Sequence, residues 1–249
     1  AIEAFDYALI IQPSLSMAHF NMANTLINLE KFEDALASMT LAVEAEPEHS
    51  IFINGLGVCY EKLNRYAEAL LREEASRVDP LLSDAWFGQA TCKAYFENWP
   101  TALALINKAI ELTEDHEEYW YEKARILMAL GCFRDAESAL NEALRLDETF
   151  WEARILKISL FLAEDSLEQA MQCIQDGQEP HQEEAAYFYE LSGLLFAFDM
   201  PELVELAATC LRWALSIDTS EAHHLLTFYP EAHDNPVVLS ILKEGGALR

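Results

Sequence analysis

The amino-acid sequence predicts an all-α fold built as a solenoid of stacked antiparallel helix pairs. Three observations predict it. Small residues recur at Ala1, Ala35, Ala69, Ala102, Ala136, Ala170 and Ala207, in steps of 34, 34, 33, 34, 34 and 37 residues. An aromatic stands three places before the small residue at Phe32, Tyr66, Trp99 and Phe133, with Leu167 in that slot later. Between these marks the apolar residues recur at three and four, the period of an amphipathic helix. Self-similarity at this spacing is the mark of a repeat array, in which each unit hides its neighbour's apolar face.

Each element follows from that phase. In Ser16–Leu29 the residues Met22, Ala23, Leu26 and Leu29 share one helix face, and in Asp34–Ala45 the residues Ala35, Met39, Ala42 and Val43 do the same. Glu30 to Glu33 are expected to hold the turn between them. A second small residue at Ala8, Ala42, Ala75, Ala109, Ala143 and Gly177 lets helices cross at close range, where a larger side chain would hold them apart. Pro13, Pro47 and Pro80 close the early units, and Glu114 and Glu148 stand in the same place afterwards.

The phase divides the chain as follows. Residues 1–13 are a second helix without its first. Residues 14–47, 48–80, 81–114 and 115–148 are four full repeats, of which 48–80 is one residue short between Ala69 and Ala75. Residues 149–182 form a degenerate repeat, with Arg154 where a large apolar residue is expected and a polar loop at Gln178–Gln182 around Pro180. Residues 183–219 have a longer inner turn near Phe198-Asp199-Met200-Pro201, and residues 220–249 read as capping helices interrupted at Pro230. The opening in mid-helix implies that the natural N-terminus is missing and that the chain is a fragment of a longer array.

This pattern resembles the tetratricopeptide repeat (TPR) family. The resemblance rests on Leu56-Gly57, Tyr60, Tyr66, Ala69 and Asp79-Pro80 in one unit, and on Trp86, Ala90, Trp99, Ala102 and Ala109 in the next. A further unit carries Trp120, Ala124, Leu127, Gly131, Phe133, Ala136 and Ala143. Four units in phase, over residues 14–148, give it specificity. The resemblance implies a right-handed α–α superhelix whose first helices line a concave groove that holds a peptide or partner segment. Carried onto this chain, the groove residues are Phe20, Asn21, Asn24, Asn28, Asn54, Asp84, Phe87, Tyr95, Glu118, Tyr121 and Arg125. Amides such as Asn24 both donate and accept, so they can pair with an extended backbone. Aromatics such as Tyr121 offer the flat contact typical of binding hot spots. The alternative is that the aromatics pack against second helices and the amides are merely wet.

Some chaperone co-factors of this family clamp a terminal carboxylate with lysine, asparagine and arginine. The corresponding positions here are Phe20, Asn24, Gly55, Asp84 and Gly88, or, one unit on, Asn54, Val58, Gly88, Glu118 and Glu122. Only Asn24 fits, and acids there repel a carboxylate. The acidic edge formed by Asp84, Glu118 and Glu122 suits a basic or neutral ligand.

Composition narrows the function classes. With 43 acidic against 16 basic residues, the formal charge is −27 and every repeat-sized segment is acidic. That argues against nucleic acid, which requires a basic footprint, and against an anionic membrane surface. No apolar run reaches the length of a membrane helix. Cys59, Cys92, Cys132, Cys173 and Cys210 are widely spaced with no CxxC, which predicts reduced thiols and a cytoplasmic location. Glu221, His223, His224, Glu231, His233 and Asp234 lie close in sequence, but adjacent histidines point to different helix faces and no metal-ligand spacing appears. There is no nucleophile elbow, no phosphate loop and no singled-out carboxylate pair, so no catalytic residue and no cofactor is predicted. The expected role is a scaffold for a protein or peptide. The alternatives are self-association through the exposed terminal helices and a regulatory arm of a larger multidomain protein.

Overall fold

The computed structural model describes residues 2–12, 14–69, 72–177, 181–198 and 200–247. Pro13, Pro180, Asp199 and the residue deletion after Ala69 fall at or among the positions outside that set. Among the described residues every regular element is helical. In chain order they are α1 (Ile2–Ile11), α2 (Ser16–Asn28), α3 (Phe32–Ala45), α4 (Ser50–Lys62), α5 (Tyr66–Ala69), α6 (Arg72–Val78), α7 (Ser83–Tyr95) and α8 (Trp99–Leu112). There follow α9 (Glu117–Ala129), α10 (Phe133–Leu146), α11 (Trp151–Ala163), α12 (Leu167–Gly177), α13 (Ala185–Ala197) and α14 (Pro201–Ile217). A 3-10 turn at Ala222–His224 leads into α15 (Leu225–Phe228), and a second at Ala232–Asp234 precedes α16 (Pro236–Glu244). The helices fall into two compact units, residues 1–136 and 137–249.

In the first unit α2 pairs with α3, α4 with α5 and α6, and α7 with α8. Each second helix also packs on the next first helix: α3 on α4, α6 on α7 and α8 on α9. The small residues sit at these crossings. Ala23, Ala35, Ala42, Ala69, Ala75, Ala90, Ala102 and Ala109 are all fully buried. The first helices also touch one another in a row, α2 to α4, α4 to α7 and α7 to α9. Among the described residues the second helices show no comparable contact with their counterparts. A row whose first helices crowd while its second helices spread bends with the first helices on the inside. In the second unit α11 pairs with α12, α13 pairs with α14, and α11 and α13 touch in the same manner.

The turn between α2 and α3 is one residue tighter than the sequence pattern suggests, since α3 already begins at Phe32. The longer turn expected near residues 198–201 is not found: α14 begins at Pro201, as soon after α13 as α3 after α2, and the extra residues lengthen α14 instead. The geometry of the α2–α3 turn repeats. Glu30, Asn64, Glu97, Gly131 and Asp165 all adopt a left-handed conformation, with φ of 58°, 57°, 56°, 74° and 54°. Around each, two backbone N–H groups return to the ending helix. Glu30 N donates to Ile27 O at 2.9 Å and Lys31 N to Leu26 O at 2.9 Å, and the same two bonds recur at the other four turns. This is the Schellman cap, which satisfies carbonyls that a helix end leaves open. Only Gly131 adopts it without a Cβ penalty. Replacing Glu97 by glycine should therefore stabilise the fold, by about 0.5–1 kcal/mol, because the left-handed strain exceeds the added freedom of the unfolded chain. Urea unfolding of Glu97→Gly against the parent checks this, and a loss of stability would refute it.

Candidate functional site: the inner face of the first unit

The inner row of α2, α4, α7 and α9 is held together by aromatic contacts between successive first helices. Phe20 of α2 lies 5.2 Å from Phe52 of α4, and Phe87 of α7 lies 4.9 Å from Tyr119 of α9. His49 and His116, each just ahead of a first helix, stack on the same acceptor rings at 3.9 and 4.4 Å. The rings of Phe20 and Phe87 are thus partly spent on the neighbouring first helix, and both also pack against core clusters that include second-helix residues, Ala35 and Met39 for Phe20 and Ala102 and Ile106 for Phe87.

The floor between α4 and α7 is charged. Arg72 enters from α6 and is only 3% exposed. Its side chain runs over two glycines: a Cβ on Gly57 would lie 2.6 Å from Arg72 Cγ, and one on Gly88 would lie 1.6 Å from Arg72 Nη1. The guanidinium then pairs with Glu61, Nη2 to Oε2 at 2.9 Å. Gln89, buried beside it, donates Nε2 to the Arg72 carbonyl at 3.1 Å and to Ser76 Oγ at 2.8 Å. On α9, Arg125 Nη1 meets Glu122 Oε2 at 2.6 Å. Burial holds the Glu122 carboxyl above the usual carboxylate range, and the adjacent Arg125 charge opposes that rise. Burial likewise raises Cys59 and Cys92, each to about 11 against the pull of Arg72, so both remain protonated thiols at neutral pH.

Above this floor the open surface centres on Tyr95. It is 57% exposed, it stacks on Tyr66 at 3.7 Å, and Phe96 meets it edge-on at 5.4 Å. The Tyr66 hydroxyl is raised first by burial and then by the negative Glu61, while the Arg125 charge lowers it. Tyr66, a second-helix residue, joins the inner face although its place in the repeat marks it only as the aromatic ahead of a small residue.

Most of the predicted residues lie on this row. Asn21, Asn28, Asp84, Glu118 and Arg125 are exposed, and Phe20, Asn24, Phe87 and Tyr121 are half-buried. Asp84 accepts a hydrogen bond from Tyr119 Oη. Two assignments are corrected. Asn54 is buried, with 8% of its surface exposed, and does not join the amide cluster of Asn21, Asn24 and Asn28. The cause is Gly55: its missing Cβ would stand 2.6 Å from Met39 Cε, so α4 lies close against α3 and the neighbouring side chain is enclosed. Glu122 is 3% exposed, so the acidic edge is carried by Asp84 and Glu118.

Family models described as tetratricopeptide repeat match residues 20–80 and 117–150. The chain carries tetratricopeptide repeats over those residues. Peptidyl-prolyl cis-trans isomerase FKBP4 of Rattus norvegicus is 25% identical over 136 residues, 48% of this TPR chain and 30% of that protein. TPR repeat-containing protein YpiA of Bacillus subtilis (strain 168) is 23% identical over 175 residues, 70% of this chain and 41% of that protein. The TPR chain thus spans less than half the length of either curated relative. The crystal structure of YrrB, described as a TPR protein with an unusual peptide-binding site, matches with a TM-score of 0.53 at 23% identity, over 72% of this chain and 93% of that one. The shared fold is the TPR solenoid of antiparallel helix pairs. Among the described residues, no helix is long and apolar enough to cross a membrane, and no cluster of His, Cys, Asp or Glu has the make-up of a metal site.

Proposed function

We propose that this TPR chain is a protein-interaction scaffold that holds a peptide or partner segment against the inner face of its first unit. The observation that carries the reading is the stacked Tyr66–Tyr95 pair, with Tyr95 largely exposed at the open side of the row. A broad aromatic surface next to a half-exposed arginine is the composition of a binding hot spot. Asn21, Asn24 and Asn28 supply donors and acceptors for a partner backbone. Exposed Asp84 and Glu118, within a chain of net charge −27, favour a basic or neutral partner. YrrB, with its peptide-binding site, lends the reading support by analogy of fold alone. Five unpaired cysteines support a reducing compartment such as the cytoplasm.

The test is affinity capture followed by titration of the partner with Tyr95→Ala and Asn24→Ala chains. Tyr95→Ala should weaken binding by roughly tenfold or more, the effect of losing a hot-spot residue. Both variants should keep the parent's thermal melt. Unchanged affinity in both would sink the reading. A second reading, self-association, is supported by α1, whose Tyr7, Ile10 and Ile11 are 70%, 74% and 85% exposed. Light scattering that shows a monomer at high concentration removes it.

A further inference from the structure

The second unit ends in a way its own repeats do not foretell. In the first unit, a first helix leans on the preceding second helix as well as on the preceding first helix. The segment 221–229 instead packs on α13, while α14 is covered by α16. The residues of α13 that it meets are those which, by the repeat phase, face inward. His224 Nδ1 lies 3.1 Å from Glu190 Oε1. The Leu225 carbonyl sits so close to Gly193 that a Cβ there would be 2.5 Å from its oxygen. Tyr229 stacks on Phe196 at 5.9 Å. The segment also reaches past α13: the His224 ring meets Trp151, at the start of α11, edge-on at 6.3 Å. Leu225 is 1% exposed, so this contact is a seated one. The segment is tethered beyond its end, where Asn235 donates Nδ2 to Tyr229 Oη at 3.1 Å and caps α16 with Oδ1, which accepts from Val237 N and Val238 N.

We propose that the inner face of the second unit is a segment-binding surface which the chain fills with its own residues 221–229, and that a partner displacing them carries the same three features. These are a basic side chain for Glu190, a main-chain carbonyl pressed against Gly193, and an aromatic five residues after the basic one to stack on Phe196. The requirement at Gly193 is the most selective, because only a bare backbone can approach so closely. The fit of Glu190 to a basic group follows from its partial burial, which strengthens a charge pair relative to one in open water. Because the occupant is covalently attached, its effective concentration is high, and an outside segment competes only when the attached one is weakened or when it binds more tightly.

Fluorescein-labelled peptide 219–235 tests this on the 249-residue chain. A release variant, Leu225→Ser with Tyr229→Ser, leaves α16 and its Asn235 cap in place. Amide exchange over 221–229 should rise in that variant, and the labelled peptide should bind it about tenfold or more tighter than it binds the parent chain, since the attached competitor is gone. Adding Gly193→Val to the release variant should abolish that binding. Failure of the peptide to bind the released chain, or equal binding with Val at 193, overturns the proposal. So does exchange that rises across α13 and α14 as well, since the segment would then be part of the core and not a ligand seated on it. Partner binding at Tyr95 in the first unit is read separately and does not enter these outcomes.

Discussion

Gly88→Ala should destabilise the first unit by about 3–5 kcal/mol, the range for breaking a buried ion pair by displacing one member. The added methyl would lie 1.6 Å from Arg72 Nη1 and 2.1 Å from its Cδ. The guanidinium would have to leave its place. It is 3% exposed and runs between Gly57 and Gly88, so little open space is at hand, and moving it separates Nη2 from Glu61. A buried arginine without its carboxylate carries most of the desolvation cost uncompensated. The second variant that completes the test is Arg72→Met, which keeps the apolar stem and removes the charge. The double variant Gly88→Ala, Arg72→Met should recover most of the loss, giving a coupling energy well above the scatter of independent sites. Urea unfolding followed by circular dichroism provides all four free energies. Additive effects, or a Gly88→Ala loss below about 1 kcal/mol, would show that the guanidinium does not depend on that slot.

Close approach between helices also decides how much of this molecule is legible in its sequence. The helix pairs are plain because each demands a small residue at a crossing and an apolar face, and those recur at Ala35, Ala69, Ala102 and Ala136. The left-handed turns inside the pairs are mostly hidden because a Schellman cap needs only backbone groups: Glu30, Glu97 and Asp165 adopt it without any side-chain signature, while Gly131, and Gly246 at the end of α16, announce it. On the inner face, exposure of Asn28, Tyr95 and Glu118 follows from repeat phase, but burial of Asn54 and Glu122 does not. Phase places a side chain on a face, whereas burial depends on how closely two helices approach, and that is decided by residues elsewhere, such as Gly55 against Met39. The buried arginines are the least legible. Arg72 lies on the helix that should contribute an apolar residue, and Arg154 occupies a position where the repeat calls for a large apolar one. Each is accommodated by missing methyls: Gly57 and Gly88 for Arg72, Gly177 for Arg154, where a Cβ would lie 2.4 Å from Arg154 Cδ. Gly57 and Gly177 stand in slots that other repeats fill with alanine, a signal from which an intruding long side chain could have been inferred, whereas Gly88 stands where other repeats carry Asn21, Gly55 and Glu122 and gives no such signal.

Arg154 sets up the second large effect, an acid sensitivity confined to the second unit. Its Nε faces His181 Nε2 at 3.4 Å and its Nη2 donates to the Glu148 carbonyl at 3.3 Å. His181 is 3% exposed and its ring lies 4.6 Å from that of Tyr187. Burial pushes the imidazole down from its usual 6.5 to about 4, and the Arg154 charge pushes the same way. The direction fixes the sign. Between those two values the unfolded chain binds a proton that the folded chain refuses, so stability falls as the pH drops through that window. Each tenfold difference in proton affinity between the folded and unfolded chains is worth about 1.36 kcal/mol, so the loss on going from neutral pH to the bottom of the window is at most about 3 kcal/mol. His181→Gln retains an acceptor for Arg154 and cannot titrate. It should therefore lose less stability than the parent between about pH 7 and pH 4.5, although the many carboxylates of this acidic chain will weaken both proteins together. The quantity to measure is the difference in unfolding free energy between the two chains at each pH. A difference that stays constant across the window would mean that His181 is protonated in the folded unit, and that its contact with Arg154 does not exclude the second positive charge.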